Sequence, residues 1–221
     1  MVRKIAFGLL LLLRLATIVI EGAEVGKKRP GPPLIDETTR VLTLDGQTTD
    51  LQKYKGHILL VVNVATFCAY TQQYNDFGPL LDENAQMKIV GFPCNQFYLQ
   101  EPAENHELIN GIVHVRPGNN FTIHPNLHLF GKLEVNGEGQ HPLYEFLKES
   151  CPQTIVQLGH SNELMYNPIR VLYNLQQKSP EGNFEKFLLD RQGRPRFRFH
   201  PTAWTHGKVL KPFMEQLMSE Q

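Results

Sequence analysis

The run "HILLVVNVAT", residues 57–66, constrains the fold more than any other stretch. It is nearly continuous in apolar and β-branched residues. A strand of that kind is buried on both faces and belongs inside a parallel or mixed sheet. "KIVGFP" at 88–93 reads as a second such strand. A helix is expected between them, around residues 75–86, with Pro79 suiting its first turn better than its middle. Before the long run, "TRVLTLDGQTTDL" reads as a hairpin turning at Asp45-Gly46. After it, "AENHELINGIVHV" places Leu108, Ile109, Ile112 and Val113 on a helical face, and "HPLYEFLKES" does the same with Leu143, Phe146 and Leu147. "FEKFLLD", Gly193 and "RPRFRF" predict strand, turn and strand. "KVLKPFMEQLM" predicts a closing helix with Val209, Leu210, Phe213 and Leu217 on one side. Strands alternating with helices predict an α/β domain with a central mixed sheet flanked by helices.

Residues 1–23 stand apart. Arg3 and Lys4 precede "IAFGLLLLLRLATIVI", and Gly22 and Ala23 follow it, the pattern of a secretory signal peptide. The apolar part is short and broken by Arg14, so stable membrane insertion is not expected. Residues 24–38 read as a flexible lead-in, and 39–221 as one domain. Removing residues 1–23 takes three basic side chains and one acidic one with it, which leaves 19 basic against 21 acidic. That balance excludes a nucleic-acid partner held by a basic surface. The three cysteines are Cys68, Cys94 and Cys151. No CxxC and no Cys/His metal spacing occurs, so no metal and no bound cofactor is expected. In a secreted chain, Asn120-Phe121-Thr122 is a glycosylation sequon, with Asn120 as acceptor.

Cys68 closes the long strand and precedes a helix. Unpaired backbone N–H groups and the helix dipole favour a thiolate there. An accessible thiolate of low pKa attacks a peroxide oxygen and becomes a sulfenic acid. Around it, "VNVATFCAYT" resembles the active-site segment of the glutathione peroxidases, and "GFPCNQFYLQEP" at 91–102 resembles their second signature. "VRPGNN", "LFGKLEVNG" and "NFEKFLLDRQGRPRFRF" follow the same family, its secreted animal-type members above all. The resemblance implies a thioredoxin-like fold and reduction of hydrogen peroxide and organic hydroperoxides by thiols. It puts Cys68 where many members carry selenocysteine, as the peroxidatic nucleophile. Gln100 falls on the family's catalytic glutamine, whose amide can donate to a thiolate and to the departing oxygen. Asn183 falls on its active-site asparagine. Gln96 and Cys94 read as structural, and Cys151 as a helix-end residue.

The resemblance fails at one point. The family's tryptophan before that asparagine is Gly182 here, and residues 172–182 form an atypical polar insert. Trp204 lies in a different segment. Either the indole donor is truly missing or a coding boundary is misplaced there. Gln73, Thr202 and Ala203 stand where members that use glutathione well carry rim cations; Lys132, His128 and His200 are candidates to compensate. The co-substrate is therefore glutathione or another thiol reductant. Residues 116–130 resemble the loop of tetrameric members, which implies a homotetramer. The alternative is a weakened or inactive homologue that acts as a binding or structural protein, or as a peroxide sensor.

Overall fold

The computed structural model describes residues 39–151, 154–155 and 182–220. The expected signal peptide (1–23), the lead-in (24–38) and all of the expected insert at 172–182 except Gly182 lie outside the described residues. The hairpin forms as expected: β1 (Arg40–Leu42) pairs antiparallel with β2 (Thr48–Asp50). Gly46 takes a φ of 80°, the left-handed turn conformation that favours glycine.

Among the described residues, five strands form a mixed sheet ordered β5-β4-β3-β6-β7. The central strand β3 (Ile58–Val64) is buried at all seven positions. It runs parallel to β4 (Met87–Pro93) and antiparallel to β6 (Lys186–Leu189). β4 continues in parallel to β5 (Leu127–Leu129), and β6 pairs antiparallel with β7 (Pro195–Phe199). Side chains alternate across β3. Ile58, Leu60, Val62 and Val64 enter one core layer, while Leu59 and Val61 enter the other. The first layer is closed by Phe77, Leu80 and Leu81 of α1 (Tyr74–Glu83), and by Met214 and Leu217 of α4 (Lys211–Ser219). The second is closed by Leu143, Tyr144 and Leu147 of α3 (Pro142–Ser150) and by Val41 of the hairpin. Each fully buried aliphatic side chain of β3 contributes about 1.5–3 kcal/mol of burial free energy, so this strand anchors both layers.

Three expectations are corrected, and one strand was missed. Pro79 lies inside α1, not in its first turn. The backbone bond it cannot make falls to the carbonyl of Asn75, which is exposed and open to water. Residues 103–115 are not one regular helix: a single turn, α2 (Leu108–Asn110), passes into a π-helical turn at Gly111–Val115. Asn110 and Gly111 are poor helix formers, and Ile109 is exposed rather than on the buried face. The closing helix begins at Lys211, with Pro212 in its first turn, because His206 and Gly207 take φ values of 54° and 79° just before it. β5 went unrecognised within residues 116–130. Its three residues sit among prolines and polar side chains, and only pairing with β4 makes them a strand.

Candidate active site

Cys68 follows the carboxyl end of β3, as expected, but it is 4% exposed. The expectation of an accessible thiol is overturned. Tyr74 and Phe184 belong to the same buried cluster, together with Ala203 and Trp204 from the segment after β7. The backbone around the sulfur is tightly held. The Thr71 hydroxyl lies 2.8 Å from the Ala65 and Cys68 carbonyls, and Thr71 N–H donates to the Cys68 carbonyl at 3.2 Å. A 3₁₀ turn at Thr71–Gln73 then leads into α1. These bonds aim the Tyr70 N–H at Cys68 Sγ, 3.5 Å away.

Burial pushes the Cys68 thiol above its ordinary value, so the expectation of a low pKa is corrected as well. Four groups oppose burial: the Tyr70 N–H, the Arg116 charge, the Ala69 N–H and the Lys186 charge.

Gln100 and Asn183 come together. Asn183 Nδ2 donates to Gln100 Oε1 at 3.4 Å, and Asn63 Nδ2 donates to Asn183 Oδ1 at 3.4 Å. This uses the acceptor end of Gln100 and leaves its NH2 as donor. The Gln100 carbonyl accepts from the N–H of Phe67, the residue before Cys68, at 3.0 Å. Both signatures therefore meet at one place. Asn63 is the hub behind them. Its side chain also donates to the Gly182 carbonyl at 2.9 Å, and its own carbonyl accepts from Phe184 N–H. A Cβ placed on Gly182 would meet nothing within 4 Å. Among the described residues, no side chain occupies that space.

Glu101 is a second tie that the sequence reading missed. Its carboxylate accepts from the Thr66 N–H at 2.7 Å and the Thr66 hydroxyl at 2.9 Å, while its own N–H donates to Asn95 Oδ1 at 2.9 Å. Burial raises its pKa. The signal was present in "YLQEP": a carboxylate between two signature elements, with a run of unpaired loop N–H groups to satisfy. Gln96 is structural, as expected. Its Oε1 accepts from the N–H groups of Val135 and Asn136 at 2.8 and 3.0 Å, and its Nε2 donates to the Asn136 carbonyl at 2.8 Å. Cys94 is fully buried behind β4, with its thiol raised by burial. Cys151 caps the end of α3.

The compensating cations are only partly where they were sought. His128 faces the opposite core layer, bonded to Tyr54 Oη at 2.8 Å, so it does not serve the Cys68 side. Lys132 lowers the pKa of Glu101 by its charge. His200 contacts the Thr202 hydroxyl at 2.7 Å. Gln73 is buried, its amide donating to the Pro201 carbonyl at 2.9 Å. The cation that acts on the sulfur from outside β6 is Arg116, which the sequence reading passed over. Asn120 is exposed in a turn with a φ of 55°.

A thiol after the central strand of a mixed sheet, ahead of a helical turn and beside bonded side-chain amides, defines an oxidoreductase of the thioredoxin-like class. The family model "Glutathione peroxidase" matches residues 37–148. The chain belongs to the glutathione peroxidase family. It is 61% identical over 183 residues to glutathione peroxidase 3 of Caenorhabditis elegans, covering 82% of this chain and 79% of that protein. It is 49% identical over 207 residues to the cuticular glutathione peroxidase of Wuchereria bancrofti, covering 90% of each. Among solved structures, T. cruzi GPX1 aligns with a TM-score of 0.53 at 29% identity, over 82% of this chain and 95% of that one. Trgpx in apo form aligns with a TM-score of 0.55 at 25% identity, over 86% and 98%.

Proposed function

We propose that this chain reduces hydrogen peroxide and organic hydroperoxides with electrons from a thiol, through a sulfenic acid on Cys68. The observation that carries the reading is the meeting of the two signatures. Cys68 receives the Tyr70 N–H, and the bonded amides of Gln100 and Asn183 are tied to the residue beside it. In the reaction the Cys68 thiolate attacks one peroxide oxygen. The O–O bond breaks, and the departing oxygen takes a proton as water or alcohol. The Gln100 NH2 is the donor that steadies charge on that oxygen. Two molecules of reducing thiol then return Cys68 to the thiol, releasing water and a disulfide. Glutathione is the donor proposed, with Arg116 as the cation that attracts its carboxylates.

The test is a peroxide pulse on the purified protein followed by dimedone and peptide mass spectrometry, with Cys68→Ser alongside. An adduct on Cys68 supports the reading, and its absence from a folded protein overturns it. Peroxide consumption with glutathione, thioredoxin or dithiothreitol as donor then identifies the reductant.

The chain is proposed to be secreted and glycosylated on Asn120. The support is the pattern of residues 1–23 and the exposed sequon; a relative named cuticular fits that destination. Expression through a secretory pathway, with and without Asn120→Gln, checks both by appearance in the medium and by a mass shift. A homotetramer is proposed on the resemblance of residues 116–130, with Val115 and Ile109 presenting exposed apolar surface at the approach to that segment. Light scattering on the purified protein tests it, and a monomer mass refutes it.

A further inference from the structure

The turn that delivers Gln100 departs from ordinary turn chemistry and ordinary surface chemistry together. Gln100 N–H donates to the Phe97 carbonyl at 3.1 Å, and the two residues between them, Tyr98 and Leu99, both take a φ of 53°. A turn that is left-handed at both central positions ordinarily carries asparagine or glycine there. Bulky side chains in that conformation are strained. Burial does not hold them in it. Tyr98 is 93% exposed and Leu99 73%, the two most exposed large apolar side chains among the described residues. Phe97, just before them, packs against the core instead. Phe67, the residue before Cys68, is 47% exposed, and its N–H donates to the Gln100 carbonyl at 3.0 Å. That bond sets Phe67 beside the turn. Three large apolar side chains therefore meet water on two bonded segments, one leading into Cys68 and the other into the half-buried Gln100.

We propose that Phe67, Tyr98 and Leu99 form a rim that receives the apolar group of an organic hydroperoxide, and that this rim sets the preference of the site for aryl and alkyl hydroperoxides over hydrogen peroxide. This rests on the reading of Cys68 as the peroxidatic residue. An organic hydroperoxide is R–O–O–H. Its reacting oxygen goes inward to the buried sulfur, so the group R stays on the solvent side, where the rim stands. Covering R with the rim takes apolar surface of both out of water. Hydrogen peroxide has no such group and gains nothing from it. The strained turn fits this role. An asparagine–glycine pair would relieve the strain and lose the apolar surface, and the chain keeps the surface. The segment that follows carries exposed Glu104 and Glu107, which suits a small uncharged occupant and disfavours an anionic bilayer.

The experiment compares the purified protein with the double variant Tyr98→Asn/Leu99→Gly, a pair that suits the turn. Cys68 oxidation is timed by dimedone trapping and peptide mass spectrometry, once with cumene hydroperoxide and once with hydrogen peroxide. The variant is expected to react about 10-fold more slowly with cumene hydroperoxide, equivalent to about 1.4 kcal/mol. Its rate with hydrogen peroxide is expected to stay the same, and its Tm to hold or rise as the strain is relieved. An unchanged ratio of the two rates overturns the proposal, and so does equal slowing with both peroxides. A lower mass for the variant by light scattering assigns the patch to contact between copies of the chain and overturns it too. A second measurement needs no reaction. Cys68→Ser is titrated with cumyl alcohol, the alcohol that cumene hydroperoxide leaves, and followed by nuclear magnetic resonance. Shifts of the Leu99 methyl and Phe67 ring signals are expected, and their absence at millimolar alcohol overturns the proposal. That readout uses no peroxide. A wild-type protein that gives no dimedone adduct with either peroxide therefore bears on the peroxidase reading, and an unoccupied rim bears on this one.

Discussion

Glu101→Ala removes the acceptor that ties the second signature to the loop carrying Cys68. Two donors of Thr66 lose one carboxylate oxygen. Hydrogen bonds to a charged acceptor each contribute about 1.5–3 kcal/mol, a gross loss of roughly 3–6 kcal/mol. The raised pKa of Glu101 shows that its ionised form is held against burial, and the substitution relieves that cost. The net destabilisation expected is therefore about 2–4 kcal/mol. In a domain of this size each kcal/mol moves Tm by roughly 2–4 °C, so a fall of about 5–15 °C is expected. Glu101→Gln keeps one oxygen for both donors but sets an NH2 where Oε1 stands, buried and without a hydrogen-bond partner among the described residues. It is expected to cost about 1 kcal/mol. The pH dependence has a definite sign. A carboxyl whose folded pKa is raised contributes stability that is complete below the unfolded value, here 4.5, and is lost as pH rises through the folded value. The gap between wild type and Glu101→Gln is therefore widest near pH 4.5 and narrows toward pH 8. Thermal unfolding followed by near-ultraviolet circular dichroism across that range measures all three quantities. Glu101→Ala within about 2 °C of wild type, or a gap that widens as pH rises, would refute the reasoning.

Gln96→Ala loses its bonds to the buried Val135 and half-buried Asn136, so unfolding should cost about 1–2 kcal/mol less; Cys68 alkylation per folded molecule should not change. In the native protein Cys94, fully buried with a raised thiol pKa, should resist iodoacetamide until denaturant is added. Cys94→Ala should retain peroxidase activity at a stability cost of about 1 kcal/mol. Gln100→Ala and Asn183→Ala should each slow the reaction of Cys68 with peroxide by about 10- to 100-fold, measured by competition for peroxide. Because Asn183 donates to Gln100, the double variant should lose less than the product of the two single losses.

The parts of this protein that were readable in sequence are those whose signal is local. β3 declared itself because both of its faces are apolar, and all seven of its residues are indeed buried. Cys68 and Gln100 were identified because they sit in long, specific signatures. What lay hidden depends on which distant segments fold over those residues. Nothing around Cys68 in the chain says that it will be buried in one cluster with Trp204 and Phe184, yet burial reverses the expected direction of its pKa. Lys186 reads as an ordinary strand lysine in "FEKFLL", and only the register with Val62 turns it inward. One clue was available: Asn63 interrupts a strand apolar on both faces. A polar side chain there must find partners, and its partners are Gly182 and Asn183. The same residue that breaks the apolar pattern delivers Asn183 to Gln100. Asn63 and Glu101, two of the polar side chains buried among the described residues, are the ties of this site: Asn63 bonds Gly182 and Asn183, and Glu101 bonds the loop that leads to Cys68.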